Sequence, residues 1–406
     1  MYNTKNIISI LVILSITIVD TSIDIYVSAL PKIAEYFKAQ DSTVQLTISL
    51  YLVGFAISGL IYGPLSDYYG RRKVMLVGMA IFALASVICS LAQSIIYLIL
   101  IRFIQGFGAG VAGVVGYAAI KDMYSGYECS RVISKLNMIV ALSPAVAPII
   151  GSNIVSYGYS WRFLFIIISV LSILIFLLLY LKFKEPINKL RCETDLLCNI
   201  LKRYIEIFKY YRFLGFIIIN SLTFMWVWAY VGNLPFILIK SMNISTKGYG
   251  YFIAIIVTSY VVGSAINRKC VEKVGIKNML LIGLLLPLIS DLSLFFLYYQ
   301  INLTVIIMMS FWIVSNIGLA LVMSNNATSA LSEIQEYGLG SALLTFMQMT
   351  FGSIGMSIIG YFNKNNSSIV PNLLLTIACS IVAIVIYLLL HFKLKLNFLK
   401  HLKLKV

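Results

Sequence analysis

The sequence predicts an all-α integral membrane protein in which 12 transmembrane helices form two six-helix, pseudo-repeated bundles. Three observations carry this expectation. First, hydrophobic residues make up 60% of the 406-residue chain, charged residues 11%, and the mean hydropathy is +0.95. A soluble fold cannot hide that much apolar surface. Second, about 30 Å of hydrocarbon takes about 20 apolar residues as a helix, and runs on that scale recur with short polar connections that leave no room for an added soluble domain. Third, the chain echoes itself. YVSALP at Tyr26 to Pro31 returns as YVGNLP at Tyr230 to Pro235, an offset of 204. Asp67, Gly70 and Arg72 return as Glu272, Gly275 and Lys277, an offset of 205, although Arg268 stands where Gly63 opens the first copy. Two nearly equal offsets imply duplicated halves.

Taken in order, the first half reads as spans 7–29, 44–64, 74–92, 95–118, 133–156 and 163–183. The first run is long enough to cross a bilayer and is followed by no small-residue cleavage site, so it is expected to be retained rather than removed as a signal. The composition then shifts: residues 182–212 hold Lys184, Glu185, Lys189, Arg191, Glu193, Asp195, Lys202, Arg203 and Glu206, with Pro186 as a breaker. The expected division is an N-terminal bundle over 1–184, a linker over 185–212, a C-terminal bundle over 213–392 and a basic tail over 393–406. A stretch over Tyr204 to Tyr211 suits an interfacial amphipathic helix. The second half reads as spans 213–238, 249–267, 279–299, 303–326, 338–362 and 369–392.

Charge orients the chain. Of 31 Lys and Arg, Lys32, Lys38, Arg162, Lys240, Lys247 and Lys364 lie in loops on one side and Arg102 lies inside a span. All the others lie on the side of the termini. By the positive-inside rule both termini are cytoplasmic, in a bacterial inner (plasma) membrane. The net charge of +16 thus reflects topology, and no nucleic-acid partner is expected. The tail lysines suit anionic headgroups of the lipid bilayer. The six cysteines fall in spans or cytoplasmic loops, so no disulfide framework is expected. Cys192 and Cys198 lack metal-ligand spacing, and no metal or other cofactor is expected.

The stretch Gly63 to Lys73, GPLSDYYGRRK, reads as a short polar loop between the second and third spans. Gly63 and Gly70 permit close approach or a positive φ at its two ends, and Pro64 suits a helix boundary. It resembles the corresponding loop of the major facilitator superfamily, roughly G-x-L-x-D-x-x-G-R-[RK]-x, matched by Gly63, Leu65, Asp67, Gly70, Arg71 and Arg72. The resemblance implies that family's fold and a gating role for the loop.

Ionisable residues inside a membrane are costly and are functional candidates by default. There are four: Asp20, Asp24, Arg102 and Asp291. Asp20 and Asp24, at i and i+4, share one helix face. Mutual repulsion and partial desolvation suit them to exchange protons. At 1.5 Å per residue, Asp24 on span 1 and Arg102 on span 4 lie roughly level. Arg102 is therefore expected to stabilise ionised Asp24 until a proton or a cationic substrate competes. A permanent structural ion pair is the alternative. Asp291 is open between a pore role and a polar packing contact.

SIDIYVSALP, Ser22 to Pro31, resembles the first-helix signature of the bicyclomycin and chloramphenicol resistance (Bcr/CflA-type) branch of drug:proton antiporters. Asp24, Tyr26, Ala29, Leu30 and Pro31 match, whereas Val27 and Ser28 stand where Leu-Pro is usual. RFIQGFGAG resembles the fourth-helix motif through Arg102, Gln105, Gly106 and Gly108, and implies a proton-coupling role for Arg102. APIIGS, with Pro148 and Gly151, resembles the antiporter motif of span 5, and Trp161–Arg162 resembles the family's W-R pair. Ala147 and Ser152 replace glycines there but remain small enough for close packing.

Trp228 stands 204 residues after Asp24, and an aromatic wall opposite a carboxylate suits planar or cationic molecules. Tyr26 and Tyr230 are grouped with it as substrate-contacting candidates. Membership of the interfacial belt is the competing reading, preferred for Trp226 and left open for Trp228. Asn220, Asn316 and Gln348 either line a cavity or bridge helices.

The expectation is a monomeric, proton-coupled secondary transporter that exports small amphipathic or cationic drugs and toxic compounds. The rivals are an importer or facilitator of a metabolite and, further off, a non-transporting receptor. No metal cluster, nucleophile with a His partner or phosphate-binding loop points to an enzyme.

Overall fold

The computed structural model describes residues 2–186, 206–300, 304–334, 337–363 and 368–403. Twelve helices are long and apolar enough to cross a membrane, numbered here as spans 1 to 12. Spans 1 to 6 are Lys5–Val27, Asp41–Tyr69, Arg71–Ser90, Ile95–Met123, Gly126–Ser156 and Arg162–Lys182. Spans 7 to 12 are Tyr211–Ser241, Thr246–Val274, Ile276–Gln300, Val305–Leu331, Leu339–Phe362 and Val370–Leu390. The core of the linker lies outside the described residues, as do the side chains of the basic tail.

Apart from spans 1, 6, 11 and 12, the helices are longer than the apolar cores that predicted them. Hydropathy marks the edge of the hydrocarbon, whereas backbone hydrogen bonding carries a helix on through polar residues. Span 5 shows this most plainly: it opens with an amphipathic segment, Gly126–Val140, before a break at Ala141 and Leu142 and a second segment, Ser143–Ser156. Pro144 accounts for the break, since it lacks the N–H that a continuous helix needs.

The expected loop over Gly63 to Lys73 is corrected in the same sense. Span 2 runs through Pro64 to Tyr69, and span 3 begins at Arg71. Gly70 alone breaks the helix, with φ 96° and ψ 149°. A side chain is strained in that region, so the Gly is required there. Gly63 has neither a positive φ nor a close neighbour, because a Cβ on it would come no nearer than 3.6 Å to Val114. The second copy has the same geometry: Gly275, with φ 85° and ψ 148°, separates span 8 from span 9. Spans 2 and 8, the helices that end at these glycines, are both 29 residues long. The sequence echo is thus a backbone repeat.

The halves meet at the end of the molecule remote from the termini. There Gln45 of span 2 donates to the Gly232 carbonyl of span 7 at 3.2 Å, and the Ser49 and Ser357 hydroxyls of spans 2 and 11 lie 3.4 Å apart. Asp41 at the start of span 2 pairs with Lys240 at the end of span 7. Gly250 of span 8 packs on Pro148 and Ser152 of span 5, where a Cβ would collide with the Ser152 hydroxyl and crowd the Pro148 carbonyl. At the termini end the ion pairs Arg71–Asp122 and Arg212–Glu333 each stay within one half. There, too, Leu136 is the one buried residue of the Gly126–Val140 segment, so that segment is open on the side of the central space as well as the outside. The molecule is closed at the far end and open towards the termini.

Candidate functional site

Asp20 and Asp24 share one face of span 1, as their spacing requires, and both are half-buried. Asp24 accepts a hydrogen bond from Ser143 of span 5 at 3.1 Å, and the same hydroxyl lies 3.1 Å from Thr21. Tyr51 of span 2 and Tyr249 of span 8 stand close enough to feel the Asp24 charge, and Tyr117 of span 4 that of Asp20. Helices of both halves therefore surround the two carboxyls, which face the central space rather than lipid.

Arg102 is fully buried and does not pair with Asp24. Its guanidinium lies between two tyrosine rings, 4.6 Å from the centroid of Tyr26 and 4.3 Å from that of Tyr51, with Phe165 at 5.9 Å. It donates to Gln105 at 2.7 Å, and Gln105 in turn donates to Ser86 at 2.8 Å. Equal depth along the membrane normal does not fix direction around the helix. Successive helical residues are separated by about 100°, so positions 24 and 26 face nearly opposite ways. Arg102 meets the Tyr26 face, and cation–π contact takes the place of the expected ion pair. The Tyr51 hydroxyl lies 3.4 Å from Ser22, on the side of span 1 that also carries Tyr26.

The family model described as Major Facilitator Superfamily matches residues 12–356. The chain belongs to the Major Facilitator Superfamily. It is 27% identical over 374 residues to the bicyclomycin resistance protein homolog of Haemophilus influenzae, covering 90% of this chain and 91% of that one. It is 28% identical to the chloramphenicol resistance protein CraA of Acinetobacter baumannii, over 67% of this chain and 65% of the relative. In fold it matches the crystal structure of a bacterial homolog of the human lysosomal transporter Spinster in an inward-facing, unoccupied conformation. The TM-score is 0.74 at 15% identity, covering 95% of this chain and 97% of that one.

In this facilitator the charges of the Gly63 to Lys73 stretch form a built junction rather than a solvated run. Arg71 is buried; it pairs with Asp67 at 2.6 Å and with Asp122 of span 4 at 2.8 Å, and donates to Ser66 at 2.5 Å. Arg72 donates to the carbonyls of Phe183 at 2.7 Å and Tyr180 at 2.8 Å. The Glu185 carboxylate accepts the backbone N–H groups of Arg71 at 2.9 Å and Arg72 at 3.0 Å. An acid at the first turn of span 3 satisfies orphan donors and meets the positive end of the helix dipole. Sequence reasoning missed Asp122 and Glu185. Both are acids at the ends of apolar runs, but only folding brings them to Arg71.

The span 5 motif serves packing. A Cβ on Gly151 would collide with the Ile25 carbonyl of span 1, so the glycine lets the two backbones touch. Pro148 lies buried beside it. In the second half, Asp291 is fully buried and accepts from Tyr230 at 3.1 Å and from Ser315 at 3.2 Å. Trp226 is also buried, packed edge-on against Tyr230, so the interfacial-belt reading for it is overturned. Trp228 is half-buried and seats its ring on Gly352 of span 11, where a Cβ would collide with it. Asn220 is fully buried. Asn316 donates to the carbonyl of Trp312 on its own helix at 2.9 Å, and Gln348 is half-buried. These candidates therefore do not converge on one wall: Asp291 bonds Tyr230, and Trp226 packs on Tyr230, inside the second bundle.

Proposed function

We propose that the chain is a proton-coupled antiporter of a bacterial inner membrane, with both termini cytoplasmic, that exports small amphipathic or cationic compounds. One observation carries this reading: two carboxyls four residues apart on span 1 stand half-buried beside the central space of a bundle closed at its far end. A carboxyl there can exchange its proton with water on the open side and offer its charge to a cationic substrate, which makes proton and substrate competitors for one site. Relatives named for bicyclomycin and chloramphenicol resistance support drugs as the substrate class. Arg102 supplies a fixed positive charge behind Tyr51, and the Arg71 junction, broken and remade, suits a gate on the cytoplasmic side.

The test is efflux in proteoliposomes under an imposed pH gradient, with chloramphenicol and tetraphenylphosphonium as probes. Asp24→Asn is expected to abolish gradient-driven export of both while the protein keeps its unfolding temperature. Unchanged export would overturn the reading.

A further inference from the structure

Each half fully buries one charged side chain in a corresponding cluster of spans, Arg102 on span 4 in the first and Asp291 on span 9 in the second. Ser94 and Thr304 cap spans 4 and 10, each accepting from the amide three residues on. In that register, an offset of 210, Trp312 occupies the place of Arg102 and Ser315 that of Gln105. Spans 3 and 9 both start after a left-handed glycine, Gly70 and Gly275, which puts Asp291 in the place of Ser86. Tyr230 answers Tyr26. The side chains confirm the register: Gln105 bonds Ser86 at 2.8 Å in the first half, and Ser315 bonds Asp291 at 3.2 Å in the second. The Tyr26 ring stacks on the Arg102 guanidinium at 4.6 Å. Tyr230 instead packs on Trp312 at 5.2 Å and turns its hydroxyl to Asp291 at 3.1 Å. One half thus keeps a cation in an aromatic cage, and the other keeps a carboxyl among hydroxyls.

An ionised carboxylate presents about four lone-pair sites to donors, and two hydroxyls reach Asp291. From the helices packed around it the groups that face Asp291 are Tyr230 of span 7, Ser315 of span 10 and Thr376 of span 12. Among the described residues no Lys, Arg or His forms an ion pair with it. A buried carboxylate without a cation is costly in hydrocarbon, and a bound proton removes that cost.

We propose that Asp291, held by Tyr230 and Ser315, is a second proton-binding site of this transporter, sealed from water in the present conformation and separate from the span 1 acids. Asp20 and Asp24 meet the open central space, whereas a proton on Asp291 can leave only when the second bundle rearranges. Its use in transport rests on the proton-coupled reading above; its occupancy by a proton does not.

The experiment is infrared spectroscopy of the full-length protein in lipid nanodiscs, with no substrate added, following the carboxylic C=O stretch. In an Asp20→Asn/Asp24→Asn background a carboxylic band is expected to persist at neutral pH and to vanish when Asp291→Asn is added. A spectrum unchanged by Asp291→Asn would overturn the proposal. Should that variant fail to fold, Tyr230→Phe decides: loss of the hydroxyl donor shifts the band if Asp291 carries the proton, and an unshifted band counts against it. Proton-driven export by Asp24→Asn proteoliposomes judges the antiporter reading separately, because the infrared band depends on no transported compound.

Discussion

Asp24 and Tyr26 stand two positions apart, and that spacing divides their work. Asp24 meets Ser143 and the central space, while Tyr26 turns to Arg102. The buried guanidinium is held by ring faces rather than by an acid, so the cage should depend on rings and not on hydroxyls. Tyr51→Phe keeps the ring and is expected to leave thermal stability near wild type. Tyr51→Ala removes a buried aromatic and one face of the cage, and is expected to cost about 3–5 kcal/mol, read as a lowered unfolding temperature in detergent. A similar loss in both variants would show that the hydroxyl contact to Ser22, not the ring, holds Arg102 in place. The four intramembrane charges were legible because any charge in an apolar run stands out. Their partners were not, since Tyr51, Ser143 and Gln105 are ordinary residues for such helices until packing places them.

At the scale of elements, the junction of spans 2 and 3 is a helix break of one residue secured from a distance. Gly70 sets the turn, and Glu185, more than a hundred residues later, caps span 3. Glu185→Gln keeps an acceptor but removes the charge at the helix N-terminus, an effect of about 0.3–1 kcal/mol. The expected outcome is a small loss of stability with faster thiol labelling of a cysteine placed at Ser66, read in membranes. Asp67→Ala releases one of two carboxylates from Arg71 and is expected to slow export turnover while leaving binding of tetraphenylphosphonium intact. Equal loss of binding and turnover would argue against a gate. The sequence motif identified this stretch and its repeat near Gly275. A motif could not show that the stretch is helical through Pro64, because hydrogen bonding along the helix outweighs one proline near its end.

Across the whole molecule, the far end holds the halves together through Asp41–Lys240, Gln45–Gly232 and Ser49–Ser357. These contacts must break for the central space to open on that side. An exposed ion pair contributes at most about 1 kcal/mol, so Lys240→Ala is expected to shift the conformational balance by roughly fivefold at most without unfolding the protein. A cysteine pair at Ser49 and Ser357, oxidised to a disulfide, is expected to lock the far end and stop export, with activity restored by reductant. Full export in the cross-linked state would show that this seam does not open during transport.

The sequence by itself determined the membrane class, the count of spans, the repeat of the two halves and the presence of acids on span 1. Each follows from a signal carried along the chain: apolar length, the spacing of an echo, or a charge where hydrocarbon should be. Only the tertiary structure decided which way those charges face. It turned Arg102 away from Asp24 into a cage of rings, joined Arg71 to Asp122 and Glu185, and sealed Asp291 beside Tyr230. Those outcomes depend on rotation about helix axes and on close backbone approach at residues such as Gly151. Helix–helix packing sets both, and no linear pattern records them.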